Sequence, residues 1–72
     1  MSKLPILSSR RLIKILNKIG YHEVRQRGSH IRLEHFERKS ITVPNYKIID
    51  RSLLKKILRD AELNTEEFEK LL

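Results

Sequence analysis

Between Leu12 and Ile19 the apolar side chains fall at Leu12, Ile13, Ile15, Leu16 and Ile19, with Arg10, Arg11, Lys14 and Lys18 outside that stripe. Steps of three and four predict a helix with one apolar face. Ser8 or Ser9 is placed to cap it, because a hydroxyl there accepts from a free N–H of the first turn. Gly20 ends it as a left-handed C-cap. Leu4-Pro5-Ile6-Leu7 is an extended lead-in, since proline pushes the residue before it out of the helical region.

Beyond Gly20 the period falls to two. Tyr21 to Arg27 and His30 to Leu33 read as strands, joined by a tight turn at Gly28-Ser29, where glycine supplies the positive φ of a short hairpin loop. Alternation puts Ile31 and Leu33 on one face and His30 and Arg32 on the other. On the first strand it assigns Val24 to the core face and Arg25 and Arg27 to the opposite one. A turn within His35–Lys39 leads to a third strand, Ser40–Val43, with Ile41 and Val43 inward and Pro44 stopping it. Asn45 to Ile49 is a connection. Asp50 is a cap for a second helix, whose stripe is Leu53, Leu54, Ile57, Leu58 and Ala61. A last short helix starts after Thr65, with Glu66 and Glu67 in its first turn, where the dipole favours negative charge. Phe68, Leu71 and Leu72 pack it back.

The expected fold is therefore α+β, in the order α-β-β-β-α plus a short C-terminal helix, as a single domain over residues 1–72. Helices cover one face of a three-stranded antiparallel sheet. The order is that of the double-stranded-RNA-binding domain, a fold-level analogy that suggests a partner class. If the apolar positions go to the core, Arg25, Arg27, His30 and Arg32 meet on the open face.

Charge gives that face a meaning. The chain carries 16 basic and 9 acidic residues, a net of +7, unevenly spread. Residues 1–59 hold 15 basic and four acidic residues, whereas residues 60–72 hold Lys70 against five carboxylates. A basic body implies a polyanionic partner, and RNA or another nucleic acid fits better than a membrane, because no basic helix has a wide, strongly apolar face. The bland alternative is a solvated cationic surface. Without cysteine there are no disulfides or thiolate metal sites, and three histidines at irregular spacing predict no metal site and no cofactor. The apolar run in Met1–Leu7 is too short for a signal peptide or a membrane span, so the expected location is cytoplasmic.

RNA carries its own nucleophile, the 2′-hydroxyl. A protein cleaves it by taking that proton and stabilising the charged phosphorane. A side chain titrating near neutrality suits the first task, which makes His30 the candidate general base. Arg25, Arg27 and Arg32 are candidate phosphate binders, with Ser29 of the turn beside them as an RNA contact and Gly28 as the structural turn residue. The arginines' charge also favours an imidazole that is neutral and ready to accept a proton. No leaving-group acid stands out; Tyr46 and His35 are candidates. Each residue has a plainer reading. His30 can be a surface turn residue or a phosphate donor without chemistry, and the arginines generic positive surface. His22 reads as a rim or core residue, His35 as a solvated loop residue, and Tyr46 as cover over the sheet edge. At the level of the whole chain the alternatives are a non-catalytic RNA-binding domain of the same fold and a protein–protein adaptor.

Pro5-Ile6-Leu7-Ser8, the helix closing on Ile19-Gly20-Tyr21, the Arg27-Gly28-Ser29-His30 turn, Thr42-Val43-Pro44, and Leu53…Ile57-Leu58…Thr65-Glu66-Glu67-Phe68 together resemble the HicA toxin family over nearly the whole chain. The resemblance implies a ribosome-independent endoribonuclease, an mRNA interferase, acting as the growth-arresting toxin of a type II toxin–antitoxin pair. It implies a fold like the double-stranded-RNA-binding domain, His30 as the catalytic residue, and a cognate HicB-type antitoxin that covers the site. Many members also carry a histidine shortly after the valine-proline step, where this chain reads Asn45-Tyr46-Lys47. The acidic stretch from Asp60 to Glu69 is expected to pack against the domain rather than to serve as a lid.

Overall fold

The computed structural model describes residues 4–72; Met1–Lys3, on which the expectation of no leader partly rests, lie outside the described residues. The elements run α1 (Ser9–Asn17), β1 (His22–Arg27), β2 (His30–Glu34), β3 (Ile41–Pro44), α2 (Arg51–Asp60) and α3 (Thr65–Glu69). The strands form one antiparallel sheet in the order β1-β2-β3. This is the α-β-β-β-α arrangement that the hydrophobic periods predict. Among the described residues no helix is long and apolar enough to cross a membrane.

The helices start where local chemistry directs. Ser8 caps α1, its hydroxyl accepting from the Arg11 N–H at 3.1 Å, and Asp50 caps α2 by accepting from the Leu53 N–H at 2.8 Å. Asn64 caps α3 in a reciprocal box with Glu67, one residue ahead of the expected Thr65. The inner faces of the two longer helices bury Leu12, Ile15 and Leu16 from α1 and Leu54, Ile57 and Leu58 from α2 against Ile31, Leu33, Ile41 and Val43 of the sheet. Phe68 closes the end of this core and is fully buried.

Ser9, the neighbour of the cap, has a different task. Its hydroxyl donates to the Pro44 carbonyl and accepts from the Tyr46 N–H, while its own N–H donates to the Tyr46 carbonyl at 3.0 Å. The first turn of α1 is thereby tied to the end of β3. Arg38 performs the matching task at the other helix, donating through Nη1 to the carbonyls of Ala61 and Glu62 at 2.9 and 3.0 Å, where α2 ends and its dipole is negative. Tyr21 is buried and donates its hydroxyl to the Lys39 carbonyl. Burial pushes its phenol above the ordinary value, and the Arg38 guanidinium pulls the other way.

Two expectations are corrected. Val24 does not reach the core but stays 45% exposed. The pairing of β1 with β2 shifts between Glu23 and Arg25, so Val24 is the extra residue of a bulge, and strict alternation fails there. The whole of β1 is exposed. Leu72 is 48% exposed rather than packed, because α3 ends at Glu69 and only Leu71 of the pair leans on the core.

Gly20 serves two needs at once. Its φ of 105° lies in the left-handed region, and a Cβ there would stand 2.9 Å from Nε2 of His35. Gly20→Ala should therefore cost more than the left-handed backbone alone, about 1–2 kcal/mol, because the imidazole must also move. A urea midpoint equal to the wild type's would refute the close packing of His35 on this turn.

Candidate functional site

The site is built on the β1–β2 hairpin. Gly28 takes φ 54° while Ser29 keeps a negative φ, the pattern of a type II′ turn with glycine at its first central position. No atom lies within 4 Å of a Cβ built on Gly28, so backbone conformation rather than space calls for glycine here. The turn is held from both sides. The Gln26 side chain donates to the Gly28 carbonyl at 3.0 Å, and the Asn45 N–H donates to the Ser29 carbonyl at 2.6 Å. The second bond links the hairpin tip to the loop that Ser9 anchors. His30, the first residue of β2, thus leaves a turn fixed by α1, β1 and the end of β3.

Register brings the basic residues together. His30 stands opposite Arg27 on β1 and Pro44 on β3, and Arg32 opposite Arg25 and Thr42. Directly opposed residues share a sheet face with Cβ atoms roughly 4.5–5.5 Å apart. Ile31 and Leu33, which alternate with them, point into the core, so His30 and Arg32 point out. Arg25, Arg27, His30, Arg32 and Thr42 line one depression of about 140 Å3. Opposing Arg25 to Arg32 is unfavourable for the sheet itself, and no carboxylate lines the depression to offset it. A fold that keeps guanidinium groups facing one another around an exposed imidazole has the chemistry of an anion site.

The remaining sequence candidates lie elsewhere. His22 is exposed at the far end of the hairpin, opposite Glu34. His35 is not a solvated loop residue. Its Nδ1 accepts from the N–H groups of Glu37 and Arg38 at 2.9 and 3.2 Å, which leaves Nε2 to donate to the Ile19 carbonyl at 2.7 Å. Its ring also packs edge-on against Tyr21 and stacks on Phe36. Both nitrogens are committed to holding the β2–β3 turn, roughly 16 Å along the strand from His30. Tyr46 is 51% exposed; its backbone is bound to Ser9, and it lines neither the basic depression nor the groove beside it.

That groove has no counterpart among the sequence expectations. It is about 360 Å3 and opens from His30 and Arg32 across β3 to the flank of α2. Ser40 and Thr42 are on its sheet side, and Lys56 and Asp60 on its helix side. The outward setting of Ser40 and Thr42 could have been read from the alternation around Ile41 and Val43. Nothing local marks Lys56 and Asp60, since only the packing of α2 beside β3 brings them there.

A family model described as HicA toxin of bacterial toxin-antitoxin matches residues 9–63, from α1 through the end of α2. The chain belongs to the HicA toxin family. No curated protein matches it closely enough to count as a relative. Membership makes this HicA protein a toxin and gives it a cognate antitoxin as partner. The matched span contains the whole hairpin, the basic depression and the groove.

Proposed function

We propose that this HicA toxin is a ribosome-independent endoribonuclease that cleaves mRNA in the cytoplasm, with His30 as general base. The observation that carries the reading is the exposed imidazole set directly opposite Arg27, in a depression shared with Arg25 and Arg32. The guanidinium groups hold the scissile phosphate and offset the charge that develops on it. His30 takes the proton of the adjacent 2′-hydroxyl, and the freed oxygen attacks phosphorus. The bond from phosphorus to the 5′ oxygen breaks, that oxygen takes a proton from water, and a 2′,3′-cyclic phosphate remains. Ser29, at the tip beside His30, is the contact for the neighbouring backbone. The HicB-type antitoxin restrains the toxin by laying an acidic or apolar surface over Arg25, Arg27 and His30, which excludes RNA.

An RNA with deoxyribose at the cleaved nucleotide tests this chemistry. It should bind like the all-ribose strand and remain uncut, and the all-ribose strand should yield ends bearing a cyclic phosphate and a 5′-hydroxyl. Cleavage of the deoxy-substituted strand would overturn the mechanism. Intact recovery of all-ribose RNA with salt-sensitive binding would instead make the protein an RNA-binding domain without chemistry.

A further inference from the structure

The groove beside the basic depression has a composition of its own. The two share His30, Arg32 and Thr42, so anything held in one adjoins what is held in the other. The depression holds three guanidinium groups and no carboxylate, but the groove adds one, Asp60, four residues after Lys56 on the same helix face. Its floor includes apolar atoms of Leu53, Ile57 and Pro44. Its volume of about 360 Å3 lies within the range of small-ligand sites, roughly 300–1,000 Å3. A second phosphate does not fit, because Asp60 repels it. A bound cation fits no better, because the single carboxylate shares the groove with the fixed positive charges of Lys56 and Arg32.

Asp60 is also poorly placed for stability. It is the last residue of α2, where the helix dipole is negative and a carboxylate is disfavoured. It is exposed. Lys56, one turn earlier on the same face, offsets part of this cost, and the two opposite charges both face the groove.

We propose that the groove is a nucleobase subsite selective for guanine, in which Asp60 and Lys56 read the base adjoining the scissile phosphate; this rests on the reading of the chain as an RNA-cleaving enzyme. The match is chemical. A flat base lies against the apolar floor, and single-stranded RNA exposes its pairing edge for hydrogen bonds. Along that edge guanine presents a carbonyl acceptor, a ring N–H and an amino group. The ammonium of Lys56 donates to the carbonyl, and the carboxylate of Asp60 accepts from the two adjacent donors. Adenine and cytosine place an acceptor nitrogen beside the amino group, which meets the carboxylate with like charge. Uracil offers one N–H between two carbonyls. Thr42 and Ser40 remain for the ribose and the base's far edge.

Titration of the full-length free toxin with GMP, IMP, AMP, CMP and UMP, followed by amide chemical shifts, tests the subsite without requiring turnover. GMP should move resonances of Leu53–Asp60 and Thr42 and bind at least about fivefold tighter than AMP, CMP or UMP. IMP, which lacks the amino group, should fall between. Asp60→Ala should bring all five within about twofold. This variant should keep the fold, because removing a carboxylate from a helix C-terminus favours it. Equal affinities in the wild type, groove amides that ignore every nucleotide (the mark of a protein-docking seat), or a preference that survives Asp60→Ala would overturn the inference. Mapping 5′-hydroxyl ends across total RNA separates the two readings. Cleavage without guanine enrichment at a fixed position removes the subsite and leaves the nuclease standing. Guanine-selective binding without cleavage does the reverse.

Discussion

A His30→Ala protein should retain the wild-type circular-dichroism spectrum and lose RNA cleavage by about 100- to 10,000-fold, the usual contribution of a positioned general base. The fold should survive because the imidazole is exposed, so its removal opens no cavity. The turn that carries it is set by Gly28 and by the bonds from Gln26 and Asn45, none of which involves the His30 side chain. The loss should be in chemistry rather than in affinity, because Arg25, Arg27 and Arg32 remain to hold the phosphate. Wild type and variant incubated with total mRNA in chelator, with growth arrest scored in parallel, make the comparison. Undiminished cleavage by the variant would remove His30 from the mechanism. Parallel loss of cleavage and RNA binding would make it a phosphate contact instead.

The second large effect is on stability. Phe68→Ala should cost about 3–5 kcal/mol, because the ring is fully buried at the end of the core. A domain of 72 residues has roughly 4–11 kcal/mol in total, so the variant should be close to unfolding and its urea midpoint far below the wild type's. The helix that presents Phe68 has five residues and cannot persist alone. It is held by the Asn64–Glu67 capping box and by the packing of Phe68 itself. Deleting residues 62–72, which also removes the buried Leu63, should be at least as damaging. A truncated protein that stays folded and cleaves RNA faster would show the acidic tail to be a lid.

Much of this architecture was legible in the chain because its signals are local. The stripes of α1 and α2 identify their buried faces, and Asp50 and the Ser8-Ser9 pair mark where the helices begin. Gly28-Ser29 sets the hairpin, and with it the register that opposes Arg27 to His30. Two-residue turns allow little slippage, so the basic depression followed from the turn and the period of two. Where a tertiary partner decides the outcome, local signals are silent. The bulge at Val24 breaks the period without any glycine to announce it. His35 looked solvated because its partners, Ile19 and the N–H groups of Glu37 and Arg38, converge on it only once α1 and the turn after β2 are in place.

From its order of residues alone this protein was bound to form a helix, a hairpin with a histidine past its turn, a third strand and two closing helices, with one sheet face left cationic. That much depends on contacts between residues a few positions apart. Only the tertiary structure decided that Ser9 would weld α1 to the end of β3, that the hairpin tip would be bonded to Asn45, and that α2 would bring Lys56 and Asp60 alongside His30. The physical reason is that such placements depend on how packed elements are set beside one another, which no spacing within a single element encodes.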